Sequence, residues 1–190
     1  MKPRDENKIE RIYKATLKLV TATGLAGITM QAVAKEAKIA TGTLYIYFEN
    51  KESLIVALFH ECIKNSQGIF FRNYDINAPF KVGFQTIWSN VLQHRISRFD
   101  ESLFMEQCFH SPFIDEQTKI EAKKIFEPLR DLLVRGKKEH LIKDIDNFWL
   151  ITFMIGNINE IAKRANYFNK KLSPDVKYLN FQLCWDGIKA

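Results

Sequence analysis

The stretch from Thr29 to Lys51, TMQAVAKEAKIATGTLYIYFENK, leaves little freedom in what it can fold into. Thr29 is an N-cap by residue type. Ala32, Val33, Ala37, Ile39, Leu44 and Phe48 then recur at spacings that let two helices of a few turns pack across one small core. Asn50 is a plausible cap for a third helix beginning at Lys51. The face left over carries Gln31, Lys38, Thr41, Thr43, Tyr45, Tyr47 and Lys51. These amide, hydroxyl and ammonium groups suit phosphate oxygens and base edges.

The rest of the chain is predicted to be all-α, because turn signals fall at helix-length intervals and β-type alternation is scarce. Ile9, Ile12, Thr16, Leu19 and Thr23 form one stripe of a first helix, which Gly24 can end with a left-handed cap. Leu54, Leu58 and Cys62 mark the buried side of the helix from Lys51. Pro79 opens another helix, on which Phe80, Phe84, Ile87 and Val91 follow at helical spacing. Ser111-Pro112 breaks the chain, Asp115 can cap the next helix, and Pro128 should kink or split it. The helix expected from Asp144 is apolar all round, which predicts burial on every side. Ser173-Pro174-Asp175 starts a last helix with two apolar stripes, and the second stripe asks for another subunit. The organisation expected is a helix-turn-helix domain over residues 1–50 and a larger helical domain over 51–190.

Charge separates the same two parts. Of 190 residues, the first 51 hold nine Lys/Arg against five Asp/Glu, and the remainder nineteen against seventeen. A basic end on a near-neutral body suits a polyanion partner at that end, with Lys2, Arg4 and Lys8 as a basic arm. Cys62, Cys108 and Cys184 are odd in number and widely spaced, so neither disulfides nor a zinc site is indicated. His60, His94, His110 and His140 stand apart from any metal-ligand pattern. Asp144-Ile145-Asp146-Asn147 starts like a calcium loop, but Phe148 replaces the glycine such a loop requires. No nucleophile elbow, phosphate loop or dinucleotide fingerprint occurs. The expectation is therefore a non-enzyme without metal or cofactor. The charged N-terminus lacks an export signal, and the longest apolar run, 148–155, is too short to span a bilayer, which points to the cytoplasm and away from membranes.

With A-x-x-A-x-I-A-T-G-T-L-Y-x-Y-F-x-N-K-E-S-L at its heart, the segment Thr29 to Leu54 resembles the tetracycline-repressor (TetR) family of transcriptional regulators. The resemblance is specific over about a quarter of the chain and architectural over the rest. It implies a homodimer on near-palindromic double-stranded DNA, joined by its last two helices and released from its operator by a small-molecule effector. By position, the Thr29 hydroxyl would meet a phosphate and Gln31 would reach bases. Thr41, Gly42 and Tyr45 would face the major groove, while Thr43, Tyr47 and Lys51 would clamp phosphates beside Lys38. Packing is the alternative for Tyr45 and Tyr47, and the expected role of Leu44 and Phe48. Two departures stand out. Lys38 occupies a turn where the family often has glycine, and Ala40 replaces a common capping serine, so Thr41 is expected to cap.

The middle helices supply Phe84, Trp88, Phe104, Met105, Phe109 and Phe126 as candidate effector contacts, with an aromatic core as the alternative. Phe153, Ile158, Ile161, Phe181 and Trp185 are the candidate dimer contacts. The rival reading of the whole chain is a helical ligand carrier or helix-bundle enzyme that binds no DNA.

Overall fold

The structure, a computed structural model, describes residues 6–190, so Lys2 and Arg4 of the expected arm lie outside the described residues. Ten α-helices make up the described chain: α1 Glu6–Gly27, α2 Met30–Glu36, α3 Thr41–Tyr47, α4 Lys51–Ser66, α5 Phe80–Ser97, α6 Phe99–Phe109, α7 Glu116–Lys123, α8 Glu127–Lys138, α9 Asn147–Tyr167 and α10 Pro174–Ile188. The extended pairing among them is an isolated antiparallel bridge between Ile142 and Lys189. None of the described helices is long and apolar enough to cross a membrane.

Local sequence sets most of the boundaries. Asn50 Oδ1 accepts from Ser53 N at 2.8 Å while Asn50 N donates to Ser53 Oγ at 3.2 Å, a reciprocal cap that starts α4. Asp115 caps α7 through Thr118 N at 2.9 Å, and the Thr118 hydroxyl bond holds its carboxyl below the usual carboxylate range. A 3-10 turn, Lys124–Phe126, separates α7 from α8, whose first turn contains Pro128. Ser173 Oγ accepts from Val176 N at 3.3 Å with Pro174 in the first turn of α10. Two expectations need correction. Gly24 has φ 75° and ψ 165°, so it breaks α1 without a left-handed cap and the chain regains helix up to Gly27. The helix expected from Asp144 begins at Asn147, because Asp146 is the residue whose carboxylate accepts the free Phe148 N–H, at 2.7 Å.

The chain forms two compact units: residues up to Asn65 with Asp100–Ile120, and Ser66–Phe99 with Glu121–Ala190. This division departs from the expected boundary at residue 50. In the first unit, Ile12, Val33, Ala34, Leu44 and Phe48 share one core with Leu54 of α4. The returning segment is tied in at three places: Thr21 Oγ1 donates to Asp100 Oδ1 at 2.9 Å, Leu25 N donates to Gln107 Oε1 at 2.7 Å, and Phe59 meets Phe109 edge-on at 5.5 Å. In the second unit α5 packs against α8, α9 and α10 around Phe84, Ile87, Trp88, Leu132, Met154, Ile158 and Phe181. His94, buried there at 3.3 Å from the Ser66 hydroxyl, is held at a pKa of about 4 by burial and by nearby Arg95 and Arg98. Cys62 and Cys108 of the first unit and Cys184 of the second are buried and form no disulfide, and burial pushes Cys108 and Cys184 up to about 12.

Candidate nucleic-acid interface

The interface is built on α2, α3 and the turn between them. Thr29 is extended (φ −126°, ψ 154°), and its hydroxyl oxygen accepts from Ala32 N at 3.2 Å. That bond caps α2 and leaves the hydroxyl proton to donate outward. At the other end of α2, Ile39 N donates to Ala34 O at 3.0 Å and Lys38 N to Lys35 O at 3.1 Å, with Lys38 at φ 55°. This pair of bonds around a left-handed residue is a Schellman stop. Lys38 therefore takes the conformation that glycine adopts without cost, as its place in the turn implies.

A second constraint comes from α1. The Arg11 guanidinium donates to the carbonyls of Ala37 and Lys38, the latter at 3.0 Å, so it holds the turn through two main-chain oxygens. Nothing in the sequence around Arg11 marks this role, because its partners lie 26 and 27 residues away. Both bonds come from Nη2, whose two N–H groups each serve one of the adjacent carbonyls.

Helix α3 starts at Thr41 with Ala40 as its N-cap and no side-chain cap bond, so the expectation that Thr41 would cap is corrected. Thr41 lies one residue too late: Thr43 N and Leu44 N both donate to Ala40 O, at 2.9 and 3.2 Å. Gly42 is exposed, and a methyl group added there would meet nothing within 4 Å. The chain itself thus gives no reason for the missing side chain. Leu44 is buried beneath the helix, whereas Tyr45 is 52% exposed and Ile46 79% exposed. Packing within the domain is therefore not the role of Tyr45. Ile46 went unremarked in the sequence, where an apolar residue on a short helix reads as core. Thr43 and Tyr47 are half-buried, and Tyr47 lines a cavity of about 210 Å³ with Tyr13 and Ser53. Lys51 Nζ donates to Ala26 O at 3.1 Å and lies 5.6 Å from the centre of the Phe113 ring. Gln31 is exposed on α2. All nine expected DNA contacts thus belong to the first unit.

The other expected sites are redistributed. Phe104, Met105 and Phe109 belong to the first unit and Phe84, Trp88 and Phe126 to the second. Phe84, Trp88 and Phe104 are fully buried and pack in the cores of their units. Phe84 and Trp88 pack on Phe181 at 6.1 and 5.7 Å, and Phe126 stacks on Phe70 at 5.5 Å. Of the dimer candidates, Ile158 and Phe181 are buried in their own unit and offer no surface, Ile161 and Trp185 are half-buried, and Phe153 is exposed. Burial of α9 on every side is corrected as well. Its exposed apolar surface is Phe148, Trp149 and Phe153, and that of α10 is Val176, Tyr178, Leu179 and Leu183.

Comparison with known proteins identifies this architecture. Residues 12–58 match the family model of bacterial regulatory proteins of the tetR family, and residues 79–189 match the tetracyclin repressor-like C-terminal domain. An uncharacterized HTH-type transcriptional regulator of Haemophilus influenzae is 33% identical over 82 residues, 43% of this chain and 44% of that protein. The aligned stretch spans less than half the length of that relative. A crystal structure of a TetR family transcription regulator from Marinobacter aquaeolei VT8 matches 100% of this chain and 99% of that one, with a TM-score of 0.82 and 25% identity. The transcriptional regulator FadR of Bacillus subtilis, in complex with stearoyl-CoA, shares the fold at TM-score 0.67 and 18% identity, over 94% of this chain and 98% of that one. With family models covering both the helix-turn-helix and most of the larger helical part, the chain belongs to the TetR family of bacterial regulatory proteins.

Proposed function

We propose that this chain is a ligand-responsive transcriptional repressor that binds a near-palindromic operator as a homodimer and leaves it when a small-molecule effector binds. The observation that carries the reading is the outer face of α3. Tyr45 and Ile46 project from a short helix whose approach is fixed by the Schellman turn and by Arg11, and open space surrounds Gly42. A side chain held this way reads bases in a major groove, where Ile46 suits a thymine methyl group and Tyr45 and Gln31 suit hydrogen-bonding edges. Thr29, Lys38, Thr43 and Tyr47 supply phosphate contacts around them. Lys51 keeps two of its three N–H donors after bonding Ala26, so it serves α4 and a phosphate together. The exposed apolar residues of α9 and α10 support a second copy as partner, which pairs two reading helices for two half-sites.

The test is fluorescence anisotropy on an inverted repeat taken from upstream of the gene. With Lys38, Lys51 and the basic arm of Lys2, Arg4 and Lys8 neutralising about three to four phosphates per subunit, about six to eight per dimer, the log-log salt slope is roughly −5 to −7. Lys51→Ala weakens operator and random DNA about equally, whereas Tyr45→Ala and Ile46→Ala narrow the gap between them. Affinity indifferent to salt would sink the reading.

A further inference from the structure

In the second unit a cavity of about 400 Å³ is lined by the C-terminal ends of α5 and α9, their connection to α10, and the first turn of α10. Ile96 and Leu172 give it apolar wall, Gln93 an amide, and Lys170, Lys171 and Lys177 three ammonium groups; no carboxylate is among its described lining residues. Lys177 Nζ donates to Gln93 Oε1 at 3.1 Å. Among the described residues, the ammonium groups of Lys170 and Lys171 have neither an ion-pair nor a hydrogen-bond partner. The backbone beneath them is nonetheless fixed. Asn169 has φ 48°, with Lys170 N donating to Ala165 O at 2.8 Å and Asn169 N to Asn166 O at 3.0 Å, a second Schellman stop.

Another lysine-lined cavity of this unit, about 670 Å³, shows the contrast. There Lys137 Nζ donates to Ile145 O at 3.1 Å, Lys143 Nζ donates to Gly187 O at 2.7 Å, and Asp144 lines the same space. Lys137 and Lys143 are engaged by main-chain carbonyls there, whereas the ammonium groups of Lys170 and Lys171 have no such partner among the described residues. Three lysines border one space that has no carboxylate among its described lining residues, and an anion placed there offsets part of their mutual repulsion.

We propose that the cavity beside Lys170, Lys171 and Lys177 binds a phosphorylated small organic molecule, its phosphate among the three lysines and its apolar part against Ile96 and Leu172. A phosphomonoester carries close to two negative charges and three acceptor oxygens at neutral pH, which matches three ammonium groups better than a carboxylate does. Binding here needs the folded second unit alone, so it stands or falls separately from operator recognition.

Isothermal titration of the full chain with phenyl phosphate, inorganic phosphate and benzoate tests this. Saturable binding of one phenyl phosphate per chain is expected, with benzoate and inorganic phosphate each about tenfold weaker or worse. The Lys170→Gln/Lys171→Gln pair and, separately, Lys177→Gln should each weaken phenyl phosphate about tenfold, while Lys137→Gln/Lys138→Gln leaves it unchanged. Thermal melts establish that each variant is folded. Four results would overturn the proposal: no saturation, equal loss in the Lys137/Lys138 control, benzoate or inorganic phosphate binding as tightly as phenyl phosphate, or loss of DNA affinity in the Lys170/Lys171 pair with phenyl phosphate binding unaffected.

Discussion

Lys38 sets two demands against each other. Its φ of 55° costs a side-chain-bearing residue about 1–2 kcal/mol, while glycine in its place would regain about 0.4–1 kcal/mol of freedom in the unfolded chain. Lys38→Gly is therefore expected to stabilise by about 0.5 kcal/mol, a rise of roughly 1–2 °C in the thermal midpoint. The same variant should bind all DNA more weakly and lower the salt slope by about one per subunit, since a phosphate partner is lost. A melting point that falls would mean that the lysine stem contributes more than the strain costs. The strained turn was legible through the family resemblance, since the family often has glycine where Lys38 stands. Arg11 was not, because nothing local marks a guanidinium that bonds carbonyls 26 and 27 residues on. Thr41 was misread because a cap is decided by a single residue of phase: Ala40 already has the extended backbone of the cap, at ψ 143°.

At the scale of elements, periodicity placed the helices well and their faces poorly. The stops and caps at Asn50, Asp115, Pro128 and Ser173 were readable because each acts through its immediate neighbours. Which apolar stripe of α9 or α10 is covered depends on how α5 packs, and no spacing rule contains that. Ile158 and Phe181 consequently pack in the core of their own unit, while Trp149 and Leu183, 62% and 60% exposed, lie on the open face. Substitutions now separate the two roles. Phe181→Glu buries an unpaired charge and is expected to cost about 3 kcal/mol or more, lowering the midpoint by at least roughly 6–12 °C. Leu183→Glu should keep the wild-type melting behaviour of a single subunit but sediment as a monomer at micromolar concentration. If Leu183→Glu remains dimeric, the exposed face of α10 is not the contact between copies. Gly187 belongs to this surface too: a methyl group there would come within 2.8 Å of the Phe153 ring, so that ring can lie across α10 because the residue is glycine.

For the molecule as a whole, the first unit is discontinuous in sequence, and a boundary at residue 50 cuts through its core. A fragment of residues 1–50 loses Leu54, Ile55, Leu58 and Phe59, all fully or almost fully buried, together with the returning segment that carries Gln107 and Phe109. Circular dichroism of this fragment should show no cooperative thermal transition; a sharp one would prove the helix-turn-helix autonomous. The sequence suggested that boundary because charge and motif both change near residue 50, whereas packing continues through α4 and resumes at Asp100. The buried thiols turn this architecture into a built-in clock. Cys62 and Cys108 report on one unit and Cys184 on the other, and a thiol without water around it neither ionises nor meets an alkylating reagent. Pulsed alkylation read by mass spectrometry would therefore time the opening of each unit separately in the unmodified chain, with no reporter group introduced.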